Sequence, residues 1–219
     1  MSKPTAAPTQ ARSAEKRRYG GASHDERRAD QRERLLAGAA TVFAEQGYAS
    51  TSVDEIVARA RTSRTAFYRC FDNKEDCLAA LYKATVEQWA ANLAKAVADA
   101  GSPAEQVQAG IASLVFDFAH NEEGARVVLV ESVGATPALE RARMEARARF
   151  ASMVADQLAE VPGWSERTPS ERKLVSAATL GAVAEGATHR LVAGNLLRER
   201  RKVAAQLTAY ALRALTPPA

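Results

Sequence analysis

Two cysteines, three histidines and the lack of any long apolar run set the first limits on this chain of 219 residues. Cys70 and Cys77 are too few for a disulfide framework and lack the His or Cys company of a zinc site, so reduced thiols are expected. His24, His120 and His189 fall in unrelated segments, and there is no glycine-rich phosphate loop, no His-Glu-x-x-His and no nucleophile elbow. The expectation is therefore no enzyme, no catalytic residue, no metal and no cofactor. No stretch of eighteen apolar residues is present, and the basic start is not followed by the apolar run of a signal peptide, which predicts a cytoplasmic protein with no membrane partner. Strand signals hardly appear.

Charge is present but unevenly placed. The formal net charge is +4 with a pI near 9.2, and residues 1–28 hold seven cations against three acids, so the rest of the chain is formally neutral. That segment also carries Pro4, Pro8 and Gly20-Gly21 with few large apolar side chains, so 1–24 is expected to be a flexible basic arm able to track phosphates or reach a minor groove.

Helical signals recur almost to the end. Leu35, Leu36, Ala39, Val42 and Phe43 mark a helix over 25–46, with Gly47 as its stop. Ser52 and Glu55 fit a capping box ahead of Val53, Ile56, Val57 and Ala60, and Ser63 caps a second short helix that shares Phe67 and Phe71 on one side. Asp72 or Asn73 then opens a long helix over 74–100. Cap-proline pairs at Ser102-Pro103, Thr136-Pro137 and Thr168-Pro169 start helices over 103–120, 137–160 and 169–193, with further helices over 122–132 and 198–215. The fold class is all-α: a head over 25–73 with three helices, then a larger helical body over 74–219.

Two short helices joined by a three-residue break, the second capped and cationic, describe a helix-turn-helix. The N-terminus of such a second helix turns backbone donors toward phosphate, while its first turn reaches base edges. Arg64 and Thr65 stand just inside the cap, and Tyr68 lies near the opposite side, within reach of a backbone phosphate. Over 30–76 the net charge is only −1, yet Arg59, Arg61, Arg64, Arg69 and Lys74 crowd the second short helix.

The stretch FAEQGYASTSVDEIVARARTSRTAFYRCFDNKEDCLAALY resembles the tetracycline-repressor (TetR) family of bacterial transcription regulators. It carries the run of Phe-x-x-x-Gly-Tyr, Thr-Ser-Val, Ile, Ala, Ser, Phe-Tyr, Phe and Lys-Glu over roughly 40 residues, and the body is similar only in helix layout. The resemblance implies Arg64 and Thr65 as base readers, Tyr68 and Lys74 as phosphate contacts and Ser52 as a backbone anchor, with Arg61 and Ser63 at the same face. It departs from the pattern at Arg61 and Thr65, where glycine is usual, and at Cys70, where histidine is frequent. An arginine in the turn puts the turn's backbone geometry in question.

The helix over 169–193 is apolar nearly all round, and Val203, Leu207, Tyr210 and Ala214 stripe the last helix, so both are expected to pair with a second copy in a homodimer. Two-fold symmetry suits half-sites about 34–36 Å apart, or a multiple. The resemblance further implies a small-molecule effector in the body, for which Trp89, Asn92, Phe116, His120, Glu131 and Arg143 are the candidate residues, and a palindromic duplex DNA operator from which the effector releases a repressor. Cys70 and Cys77 leave open a redox-sensing regulator, and the basic arm leaves open sequence-blind DNA binding.

Overall fold

The computed structural model describes residues 24–217, so the proposed basic arm lies outside the described residues. The head consists of α1 (His24–Gln46), α2 (Val53–Arg59) and α3 (Arg64–Cys70). The body consists of α4 (Lys74–Ala98), α5 (Pro103–His120), α6 (Glu122–Arg126), a π-helical turn (Val127–Glu131), α7 (Pro137–Leu158), α8 (Pro169–Val192) and α9 (Leu196–Ala214). Among the described residues no strand forms, and no helix is long and apolar enough to cross a membrane.

Local chemistry sets most of the boundaries. The side chains of Ser52, Ser63, Asn73, Ser102, Thr136 and Thr168 each accept a hydrogen bond from a backbone N–H in the first turn of the helix that follows. Such a cap satisfies a donor that the helix itself cannot, and is worth about 1 kcal/mol. Three of the predicted boundaries shift by two residues. The long helix ends at Ala98 and α7 at Leu158, while α9 begins at Leu196, because Glu122 Oε1 accepts from Leu197 N at 3.1 Å and supplies a cap that Asn195 does not. The helix expected over 122–132 splits, since Ser132 N bonds to Val127 O and widens its last turn.

One core runs from head to body without a gap. Phe43, Ile56 and Phe67 close the head, and Cys77 and Leu78 at the start of α4 join them to Leu81, Trp89, Val115 and Phe118. Each of the large side chains here contributes about 1.5–3 kcal/mol by leaving water. Gly38 lets α1 approach α2, since a Cβ there would lie 3.0 Å from the Ala60 backbone nitrogen. A smaller cluster holds the far end of the body, where Trp164 packs with Leu158 and Leu215 and its Nε1 donates to Leu215 O at 2.7 Å.

Helix α8 has two unlike faces. Ser176, Thr179, Val183, Ala187 and Leu191 are buried, while Leu174, Ala178, Gly181, Glu185 and Val192 run along the opposite side, with Leu174 72% exposed. On α9 the predicted seam is divided: Val203 is buried within its own chain, whereas Tyr210 is exposed. The reason is the crossing with α8, where Leu207 sits so close to Gly186 that a Cβ there would meet it at 2.8 Å.

Candidate nucleic-acid interface and body cavities

Helix α3 is anchored from beneath and open above. Ala66 and Phe67 are buried, which leaves Arg64, Thr65, Tyr68 and Arg69 exposed on the outer side. Ser63 Oγ accepts from Ala66 N at 3.2 Å, so the first turn is fixed and its other donors point outward. Arg64 Nη1 lies 2.7 Å from both carboxylate oxygens of Asp54, and its guanidinium stands 5.9 Å from the centre of the Tyr68 ring. The Asp54 carboxylate beside it raises the guanidinium pKa further, so Arg64 is a fixed cation held in place by α2.

Arg61 occupies the turn with φ 51°, the left-handed region in which glycine is usual. The turn thus keeps the geometry that the arginine had put in question, at a cost of about 1–2 kcal/mol, and it sets an exposed cation between α2 and α3. Arg69 Nη2 donates to Gln31 on α1 at 2.9 Å, and Arg28 reaches back to Arg69 O at 3.4 Å.

Two of the residues expected at the DNA backbone serve the structure of the head itself. Lys74 Nζ, expected at phosphate, donates instead to Tyr48 O at 2.7 Å, Ala49 O at 3.2 Å and Thr51 O at 2.7 Å, and lies 4.5 Å from the centre of the Tyr48 ring. All three ammonium hydrogens are engaged, and partial burial pulls its pKa down. Lys74 therefore clamps the turn between α1 and α2 from within. Ser52 closes its capping box, its backbone N and Oγ each 2.7 Å from Glu55 Oε2. These hydrogen bonds hold the Glu55 carboxyl below its usual range.

Among the described residues, two cavities of the body share Leu114, Phe150 and Leu180 as a common wall. The larger, about 640 Å³, is bounded by Tyr82, Trp89 and Phe118 on one side, Val128 and Leu129 of the π-helical turn on another, and Arg143, Arg147 and Glu185 at its polar edge. The smaller, about 500 Å³, continues past Leu93, Val97 and Ile111 to Leu215 and is mostly apolar, with Gln106, Asp156, Gln157 and Thr179 as its polar lining. Burial pushes the Tyr82 hydroxyl pKa up, and Arg143 and Arg147 partly oppose this, so the phenol stays neutral beside two cations.

Of the candidate effector residues, Trp89 and Arg143 line the larger cavity and the other four do not. Phe116 is 55% exposed and stacks on His120 at 5.7 Å, because Leu114, Val115 and Phe118 turn the opposite side of α5 inward. Asn92 donates to Asp117 at 2.8 Å across the α4–α5 contact. Glu131 turns toward the head, where its Oε2 accepts from Tyr48 N at 3.0 Å. Tyr82, Arg147 and Phe150 were missed. For Arg147 and Phe150 the signal was the arginine-rich α7, whose apolar stripe is broken by cations, a pattern that a sequence does not distinguish from a solvated face, while Tyr82 stands on the apolar stripe of α4.

The family model for bacterial regulatory proteins of the tetR family matches residues 35–81, the stretch from the second half of α1 through the capped α3 to the start of α4. Over those residues the chain is similar to the tetR family. Among curated relatives, the HTH-type transcriptional activator FasR of Mycolicibacterium smegmatis is 30% identical over 123 residues, 55% of this chain and 56% of FasR. The transposon Tn10 TetC protein of Escherichia coli is 43% identical over 49 residues, 22% of this chain and 25% of TetC. The chain thus matches little more than half of FasR and a quarter of TetC. Among solved structures, the fatty acid degradation regulator FadR of Bacillus halodurans superposes with a TM-score of 0.71 at 19% identity, covering 81% of this chain and 94% of FadR. FadR of Bacillus subtilis, solved in complex with stearoyl-CoA, gives 0.69 at 20% identity, covering 80% and 97%. At such identities the likeness establishes a tetR-type fold over head and body.

Proposed function

We propose that this chain is a dimeric, operator-binding transcriptional regulator whose DNA affinity is set by a small effector in the body cavities. The observation that carries this reading is α3 itself: a capped, buttressed helix with Arg64, Thr65 and Tyr68 on its open side. Arg64 and Thr65 read base edges in the major groove, Tyr68 and the cap at Ser63 meet phosphate, and Arg61 adds a second cation at the same edge. Lys74 and Ser52 act indirectly, by fixing the turn and the cap on which α2 and α3 sit. Two copies joined through α8 and α9 present two such helices to a palindrome. The protein works where DNA is, in the cytoplasm.

The effector is an anionic amphiphile with a long acyl tail. Support comes from the adjoining apolar chambers, from the cationic edge at Arg143 and Arg147, and from the stearoyl-CoA held by a FadR of the same fold. The acyl chain follows Leu114 and Phe150 into the smaller chamber, while the charged end stays with Tyr82 and the arginines. Effector binding releases the operator, which makes the protein a repressor. The activator name of FasR favours a second reading, in which the bound regulator raises transcription. Redox sensing finds less support, since burial pushes the Cys77 thiol up to about 12 and keeps it out of its reactive form.

Selection of the purified protein on random duplex DNA tests the reading, with Arg64→Ala and Tyr68→Ala alongside. A palindrome is expected from the native chain, and each variant should bind it roughly ten-fold or more weakly. Salt-sensitive binding without sequence preference would instead favour the basic arm and withdraw the regulator assignment. A promoter fusion carrying the selected operator then reads the sign of regulation.

A further inference from the structure

The turn between α1 and α2 is gripped from two directions. From the start of α4, Lys74 Nζ donates to Tyr48 O at 2.7 Å; from the π-helical turn, Glu131 Oε2 accepts from Tyr48 N at 3.0 Å. One peptide plane on each side of Tyr48 is therefore fixed, one by the linking helix and the other by the body. The residues just before Glu131 form cavity wall, because Val128 and Leu129 line the larger chamber. A π-helical turn holds one residue more than an α-helical turn needs, and converting it would rotate its end by about 100°. Such a rotation would carry Glu131 away from Tyr48.

The surroundings make this bond costly to replace. Arg126 Nε is buried without a hydrogen-bond partner, 3.5 Å from Glu131 Oε1, so the carboxylate is its compensating charge. Gly47 leaves space for the carboxylate, since a Cβ there would come within 3.3 Å of Glu131 Oε2. Thr41 on α1 also donates to Glu123 at 3.0 Å, and this second tie comes from α6, outside the cavity wall.

We infer that Glu131 is a positioning residue that ties the angle of the DNA-binding head to the occupancy of the body cavity. A ligand pressing on Val128 and Leu129 moves the π-helical turn, withdraws Glu131 from Tyr48 N, and frees the turn that carries Ser52 and the start of α2. The inference deepens the regulator reading above and rests on it for its link to DNA.

Side-chain reach separates positioning from plain charge compensation. Glu131→Gln keeps an oxygen at the same distance and loses the charge; Glu131→Asp keeps the charge and falls short. Hydrogen exchange over residues 48–52 in the full chain, without DNA, is expected to be near native in Glu131→Gln and raised roughly ten-fold or more in Glu131→Asp and Glu131→Ala. Filling the chamber by Ala146→Phe, at another residue of its lining, should raise exchange over 48–52 with no ligand in a chain that keeps Glu131. On the selected operator, stearoyl-CoA should weaken binding of the native chain and of Glu131→Gln, and should change Glu131→Asp at least several-fold less, with stearoyl-CoA affinity by calorimetry unaltered. Tolerance of Asp with loss in Gln, an Ala variant indistinguishable from native, or an unmoved 48–52 segment in Ala146→Phe would each overturn the inference. Failure to select any operator would remove the regulator reading alone, and the exchange measurements would still decide the role of Glu131.

Discussion

Arg61 shows how a single residue holds two opposed effects. Its left-handed backbone works against stability, while its exposed guanidinium adds charge where α2 meets α3. Arg61→Gly should accordingly raise the unfolding free energy by about 1 kcal/mol in a denaturant titration and weaken operator binding, lowering the slope of log affinity against log salt by about one. A variant that gained stability without losing affinity would place Arg61 off the DNA. At this scale the sequence was most legible where a residue acts on its immediate neighbours: Ser52, Ser63 and Asn73 cap the helices that directly follow them. It was least legible where a side chain acts at a distance. Lys74 meets Tyr48 across 26 residues of chain and Glu131 meets it across 83, and no local rule tells a lysine or glutamate to prefer a carbonyl or amide over solvent.

Between elements, the contact of α4 with α5 buries a group that resists burial. Asp117 accepts from Asn92, but its second oxygen is buried without a partner, and desolvation holds its carboxyl above the ordinary range. The folded state therefore favours the neutral acid. Its contribution is intact below the usual carboxylate pKa and is lost as pH rises through that value toward the folded one. Asp117→Asn should raise the melting temperature at pH 7, with the gain shrinking as pH falls through the carboxylate range; an equal gain at both ends would point to packing alone. Helix periodicity located α4 and α5 well, yet of the effector candidates on them Asn92, Phe116 and His120 line neither cavity. Their facing depends on how α5 is rotated between α4 and α9, which a single helix's pattern leaves open at its margins.

For the whole molecule, the proposed joint action of two heads rests on the exposed stripe of α8. Leu174, Ala178 and Val192 are exposed opposite the buried face, with Gly181 and Glu185 between them, and Leu174→Glu should yield a monomer by light scattering that binds a half-site but loses most affinity for the palindrome. A Leu174→Glu dimer with native operator affinity would move the interface elsewhere. The two tryptophans of this chain stand in separate parts of that body. Trp89 lies on the cavity wall, 4.7 Å from Phe118, whereas Trp164 is tied by its indole N–H to the last turn of α9. The molecule thereby carries its own pair of optical labels: a ligand entering the chamber should quench or shift the emission of Trp89, while Trp164 emission should change only if the C-terminal end of the bundle loosens. Trp164→Phe leaves a single fluorophore that senses the chamber alone.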